Sequence, residues 1–257
     1  MGAPEISVDL YRDITEFADG TPSWVHSVAD VGTNAGLLLF AVLFVAGWWR
    51  ARGRDARAMG LALAAPFAVV AAYLVSEVSK DAIKEERPCR AVSGAVHIAA
   101  CPSPGDWSFP SNHATIAAAS AAVIVVAWRA LAGLVLPLAA LMAFSRVFVG
   151  VHYPHDVAAG FLVGVVVAPL AVMLLAVVLR PLVVAVRGAA VGAALLGAGP
   201  ATGGIPMTNL GAGTGPPDPE RRVAARAGAG QGAEVTAAEV TMPDVMGGVA
   251  GRRGPLP

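Results

Sequence analysis

Lys80, Arg87, Ser111, His113, Arg146, His152 and Asp156 are the residues whose types could act together on one substrate. Guanidinium groups present planar, paired donors that match phosphate oxygens, and an ammonium adds a point charge. A helix starting near Ser111 and Asn112 would add backbone N–H groups at an anion-binding terminus. Two histidines supply what such a set otherwise lacks, a nucleophile and a proton donor. The chemistry that fits is attack on a phosphate ester. The residues fall in three clusters: Lys80 to Arg87-Pro88, Pro110-Ser111-Asn112-His113, and Ser145-Arg146 through His152 to Asp156. None of the clusters adjoins another in sequence, so the fold has to gather them.

Composition indicates what kind of fold does so. Of 257 residues, 56% are hydrophobic and 14% charged, against about 25% charged in an ordinary soluble domain, and mean hydropathy is +0.65. Such an apolar excess predicts an all-α, polytopic membrane helix bundle. Eighteen Lys and Arg balance eighteen Asp and Glu, so no net field points to nucleic acid. Apolar runs at 31–49, 58–79, 114–128, 130–144 and 157–179 predict five spans. A further stretch, 182–196, is interrupted by Arg187 and either extends the fifth helix past Pro181 or forms a sixth span. The expected organisation is an acidic N-terminal segment over 1–30, a transmembrane domain over 31–199 and a disordered Gly/Pro/Ala-rich tail over 200–257. The first segment holds Glu5, Asp9, Asp13, Glu16, Asp19 and Asp30 against Arg12 alone, which argues against a cleaved signal peptide. Its Ile6, Leu10, Ile14 and Phe17 form an apolar stripe suited to the membrane interface, with a short helix packed on the bundle as the equal alternative.

Arginines set the expected orientation, because short cytoplasmic loops carry the Lys/Arg excess. Arg50, Arg52, Arg54 and Arg57, then Arg129, then Arg180 and Arg187 all fall on one side if the spans alternate. That side is expected to be cytoplasmic, with the tail, in a multi-pass protein of the cell membrane. All three polar clusters then lie at the outer face. The loop 84–111 faces outward too and holds the only two cysteines, Cys89 and Cys101, where an oxidising compartment favours a disulfide.

Taken in order, Lys80-x6-Arg87-Pro88, Pro110-Ser111-Asn112-His113 and Ser145-Arg146-x5-His152-x3-Asp156 resemble the three-part signature of the type 2 phosphatidic acid phosphatase superfamily. That superfamily includes lipid phosphate phosphatases, polyprenyl diphosphatases and vanadium haloperoxidases. Three parts in order are far more specific than any one. The likeness spans Lys80 to Asp156 by motif and the five spans by architecture. Asn112 departs from it, standing where the pattern often has Gly, which leaves the backbone N–H but alters pocket shape. The resemblance implies that His152 attacks phosphorus and becomes a phosphohistidine, with Asp156 holding its imidazole. It implies that His113 protonates the leaving group and then activates water. Lys80, Arg87, Ser111, Arg146 and the backbone around Asn112 would bind the phosphate. It implies no metal and no cofactor, and a membrane lipid phosphate as the partner: a polyprenyl diphosphate, or else phosphatidic acid or phosphatidylglycerol phosphate. A vanadate-binding oxidase and a non-catalytic scaffold are the rivals from other classes.

The remaining polar residues carry blander expectations. His155 is expected to cap a helix or face solvent, and His97 and His26 to be structural or exposed. Glu77, one turn before Lys80, either positions that lysine or is exposed at the interface. Glu85, Glu86 and Asp106 form no recognisable ligand set.

Overall fold

The computed structural model describes residues 2–200; the tail expected to be disordered lies, apart from Pro200, outside the described residues. Among the described residues the chain is all-helical: α1 (Glu5–Asp19), α2 (Ser23–Ala51), α3 (Ala56–Ile83), α4 (Pro88–Ala91), α5 (Asn112–Ala127), α6 (Ala132–Phe148), α7 (Pro154–Arg187) and α8 (Ala190–Leu196). Helix starts follow local chemistry. Asp55 caps α3 by accepting from the Ala58 N–H at 2.8 Å, and Pro154 takes the first turn of α7, where a missing N–H is tolerated.

Among the described residues, four helices are long and apolar enough to cross a membrane, as in a multi-pass membrane protein: α2, the segment containing α3, the segment containing α6, and α7. Five spans were expected. The difference is α5, whose 16 residues reach about 24 Å against a hydrocarbon core of about 30 Å. The 182–196 stretch divides. Its first part continues α7 through Pro181 to Arg187, and the rest forms α8, only 7 residues long.

Burial is inverted relative to a water-soluble bundle. The core where α3, α5 and α7 meet is built largely of alanine, with Ala64, Ala68 and Ala72 against Ala119, Val123, Ala168 and Val172. Large residues such as Leu38, Val42, Leu141, Leu162 and Leu174 point outward. Lipid gives helices no hydrophobic reason to associate, so close backbone approach through small side chains supplies the packing. Gly164 shows how tight this is. A Cβ there would meet Thr115 O at 2.5 Å and Ala119 N at 2.7 Å, both backbone atoms of α5 that cannot swing aside. Gly164→Ala is therefore expected to cost about 1–3 kcal/mol of stability, read as a lower thermal midpoint in detergent; an unchanged midpoint would show that α5 and α7 are less closely packed.

Helix α1 docks through Ser7, Tyr11, Thr15 and Ala18; of its apolar stripe, Ile14 packs partly against the bundle while Ile6, Leu10 and Phe17 stay exposed. The Tyr11 hydroxyl donates to Gly150 O at 3.0 Å and lies 3.3 Å from Val96 O. Burial pushes the Tyr11 phenol up to about 12, so it remains a neutral donor.

Between α3 and α5, the loop 84–111 folds over the end of the bundle, tied by the Cys89–Cys101 disulfide. The same crosslink is reinforced by Arg90, whose guanidinium donates to Glu86 and to Pro102 O. On the chain-entropy model such a short loop contributes about 3 kcal/mol. Reduction is expected to lower stability by that order and to loosen the arm carrying Arg87; a reduced protein as stable as the oxidised one would remove this role.

Candidate active site

The arm from Arg146 to Asp156 is shaped first by backbone geometry. After α6 ends, Gly150 adopts φ +82°, and a Cβ there would lie 2.7 Å from both His97 Cα and Val96 O, so only glycine fits. The chain turns back, and the Val151 and His152 N–H groups both donate to Arg146 O at 3.2 Å. At the start of α7 the Tyr153 N–H donates to Asp156 Oδ2 at 2.8 Å, a helix-cap contact that fixes the carboxylate. Asp156 is wholly buried and His152 nearly so. Their contact, His152 Nδ1 to Asp156 Oδ2, is 3.3 Å.

The hydrogen-bond partners determine the imidazole tautomer. His152 Nε2 lies 2.9 Å from Arg87 Nη1. A guanidinium has donors and no acceptor, so Nε2 must present its lone pair. The ring proton then sits on Nδ1, facing Asp156. Burial, followed by the positive charges of Arg87, Arg146 and Lys80, holds the His152 imidazole well below its usual pKa. At neutral pH the ring is uncharged.

Arg87 is the hub of the surrounding donors. Beyond His152 it donates to Val151 O at 3.0 Å, to Asp106 O at 2.8 Å and to Asp106 Oδ1 at 2.8 Å. Lys80 donates to Trp107 O at 2.9 Å and to Asp106 Oδ1 at 3.3 Å. Burial raises the Asp106 carboxyl, but its hydrogen bonds and charge contacts with Arg87 and Lys80 outweigh this and hold it below the ordinary range. His113, half-buried at the start of α5, is 3.4 Å from Asn34 Oδ1 through Nε2 and within range of the charges on Arg146, Arg87 and Lys80. Among the buried polar atoms without a hydrogen-bond partner in the protein are Ser111 Oγ and Arg146 Nε, and also Glu85 Oε1, His155 Nε2 and Asp156 Oδ1, which meet one another as ion pairs only. Buried polar atoms are seldom left so; Ser111 Oγ and Arg146 Nε border the cationic cluster, where a phosphate oxygen could accept from them.

Residues 61–179 match the family model described as the PAP2 superfamily. This segment is a PAP2 superfamily domain. Two relatives are similar to it. The undecaprenyl-diphosphatase of Sulfolobus acidocaldarius is 35% identical over 121 residues, 46% of this chain and 56% of that protein. The decaprenylphosphoryl-5-phosphoribose phosphatase of Mycobacterium tuberculosis is 36% identical over 101 residues, 38% of this chain and 52% of that protein. The chain thus spans about half the length of the curated relatives it matches. Among solved structures, LpxE from Aquifex aeolicus (19% identity, 63% of this chain and 92% of that one) and a PAP2-type phosphatidylglycerolphosphate phosphatase from Bacillus subtilis (23% identity, 67% and 85%) each align with a TM-score of 0.48.

Within the PAP2 domain the three sequence clusters meet as one group, but several local expectations change. Asn112 does not turn toward the cluster: its Oδ1 accepts from Ser76 Oγ at 2.7 Å and its Nδ2 donates to Glu77. Glu77 accordingly pairs with Asn112 and not with Lys80. The Ser111 N–H, expected to be available to an anion, donates to Asp156 O at 3.0 Å. His155 does not cap the helix, and its side chain is only 24% exposed. It stacks between Phe109 and Tyr153, with ring centroids 5.7 and 5.5 Å away.

Sequence reasoning missed three contributors. Ser108 donates to Asp156 Oδ2 at 2.5 Å. Asp106 binds both Lys80 and Arg87. Glu85 Oε1 lies 3.0 Å from His155 Nε2, which is also 3.3 Å from Asp156 Oδ1. The donor atoms of Glu85, His155 and Asp156 lie within 4.8 Å of one another, a set that could hold a cation; ion pairing of His155 with the two acids accounts for their charges. Only the Trp107-Ser108 segment's closeness to the Ser111 motif hinted at any of this.

Proposed function

We propose that the chain is an integral-membrane lipid phosphatase that removes the terminal phosphate of a polyprenyl diphosphate by way of a phosphohistidine on His152. One observation carries this reading: an imidazole lone pair at Nε2, with Nδ1 directed to a buried carboxylate, set among fixed cations. Such a nitrogen can attack phosphorus without first losing a proton. Arg87 gives up His152 Nε2, freeing its lone pair, and with Lys80 exchanges its contacts with Asp106 for phosphate oxygens, while Arg146 and Ser111 supply further donors. These groups stabilise the charge gathered on the transferring phosphoryl group. As the P–O bond to the polyprenyl phosphate breaks, His113 gives that oxygen a proton. It then takes one from water, which attacks the phosphohistidine and releases phosphate.

The substrate class is supported by the two relatives, both named for prenyl-linked phosphates. The match to a decaprenylphosphoryl-5-phosphoribose phosphatase favours one second reading, a phosphomonoester on a prenyl-linked sugar. The arginine-rich loops argue that the catalytic end faces outward, with α5 making a fifth, short crossing in the middle of the bundle. Phosphate release by purified protein across polyprenyl diphosphates, prenyl-linked sugar phosphates, phosphatidic acid and phosphatidylglycerol phosphate tests the substrate; a strong preference for a glycerophospholipid would overturn it. Orientation is tested with Ser103→Cys, an exposed position, and an impermeant thiol reagent. Labelling only after permeabilisation would reverse the topology.

A pH profile follows from the lowered imidazole. Because the His152 proton leaves below the usual imidazole range, the nucleophile is available throughout neutral pH and is lost only as pH falls through that lowered value. The acid limb of kcat/KM, which reports the free enzyme, is expected below pH ~6.5, the unperturbed imidazole value. A limb at or above that value would contradict a nucleophile held among these cations.

A further inference from the structure

Asp156 poses an accounting problem that the catalytic dyad does not solve. Its side chain is fully buried, and Oδ2 is served by Ser108 Oγ, the Tyr153 N–H and His152 Nδ1. Oδ1 receives no hydrogen bond from any of these and faces His155 Nε2 at 3.3 Å. A buried carboxylate with one oxygen left uncompensated is costly. The same Nε2 lies 3.0 Å from Oε1 of Glu85, itself 6% exposed. An imidazole nitrogen placed between two carboxylate oxygens has to carry a proton, since its lone pair would repel both. The ring's position leaves it little freedom, because it is stacked between Phe109 and Tyr153. At the far side, Nδ1 lies 2.7 Å from Ser7 Oγ, and the His155 backbone N–H is 3.3 Å from the same oxygen. Ser7 belongs to α1, outside the 61–179 match.

We propose that His155 is a positioning residue for the reaction, fixing and compensating the Asp156 carboxylate that orients His152, and that Glu85 and Ser7 of α1 hold it in place. This rests on the phosphatase reading for its catalytic consequence. The chain of contact runs from Ser7 through His155 to Asp156 and on to His152, so the N-terminal helix is coupled to the nucleophile. Tyr11 adds a second brace from α1 through its bond to Gly150 O, in the turn that carries His152. His155 touches no reacting atom, so its loss changes orientation and charge while leaving phosphate binding in place. The ionisable groups facing His152 are Arg87, Arg146, Lys80, His113 and Asp156; those facing His155 are Glu85, Asp156 and Tyr153. Removing the His155 charge lets Asp156 draw a proton to His152 more strongly, so His152 should titrate at higher pH.

The test compares wild type, His155→Phe, His155→Gln and Ser7→Ala as purified full-length protein. His155→Phe keeps a ring between Phe109 and Tyr153 but loses both nitrogens, and is expected to lower kcat about 10- to 100-fold with KM nearly unchanged and the acid limb of kcat/KM moved upward. His155→Gln, which can still donate to the two acids, should recover most of that loss. Ser7→Ala should shift both readouts in the same direction by less, and with the glutamine variant it carries the test if the phenylalanine variant does not fold. The titration of the His152 ring, followed by nuclear magnetic resonance, is read in parallel and does not need turnover. Wild-type kcat together with an unchanged His152 titration in folded variants would overturn the proposal. If the wild type released phosphate from no lipid, the phosphatase reading would fail, and the His152 titration would still decide whether His155 positions the dyad.

Discussion

Replacing His152 with alanine should reduce kcat by about 10⁴-fold or more, the scale seen when a nucleophile or its tautomer-setting partner is lost from a hydrolytic triad. The expectation follows from three features of this ring. It is almost completely buried, its Nε2 lone pair is defined by the Arg87 guanidinium, and of the two motif histidines it is the one held by a carboxylate. His113, the second candidate, has only Asn34 beside it. Phosphorylated protein trapped by rapid alkaline quench with radiolabelled substrate, conditions under which a P–N bond survives, should disappear in the same variant. Alanine leaves the turn intact, because the backbone contacts of 151 and 152 to Arg146 O do not use the ring. Turnover within tenfold of wild type in a folded His152→Ala protein would exclude the phosphohistidine route.

Arg87→Lys should lower kcat by roughly 10² to 10³-fold, the cost of removing a fixed donor from developing charge, although the formal charge is kept. Arg87 uses all three guanidinium nitrogens on four acceptors: Asp106 O, Asp106 Oδ1, Val151 O and His152 Nε2. A single ammonium cannot reproduce that fork. It would leave His152 Nε2 without its partner and the 106–108 segment, which also carries Ser108 to Asp156, held by Lys80 and the Glu85 carbonyl. The residue is buried, so thermal stability should fall too. Measuring activity on the fraction that remains folded separates the two effects. Activity within a factor of ten in that fraction would show that charge alone suffices and that the fork is dispensable.

The motif side chains, Lys80, Arg87, His113, Arg146, His152 and Asp156, were legible because polar residues next to long apolar runs are costly in a bilayer and have few uses there. The helices were legible for the same reason, since residues that must face lipid leave runs no other fold would produce. The pairing of Cys89 with Cys101 needed only a count of two and a compartment. What the sequence could not give was the second layer of contacts. Ser108, Glu85 and Asp106 sit in the 84–111 loop, whose path follows from a crosslink and from bonds to Arg87 and Arg90, none of which has a periodicity to read. His155 looked like a surface residue because nothing local distinguishes an exposed helix start from one covered by α1, and Ser7 lies 148 positions away. Helix α1 showed its apolar stripe in sequence, whereas its docking face of Ser7, Tyr11, Thr15 and Ala18 mixes polar, small and aromatic residues and does not stand out as an apolar pattern. Sequence by itself determined which residues must avoid lipid and which must meet it, because transfer free energy is a property of each side chain. Tertiary structure alone decided which polar atoms face one another, because hydrogen bonds and ion pairs depend on distances of about 3 Å between residues that the chain places far apart.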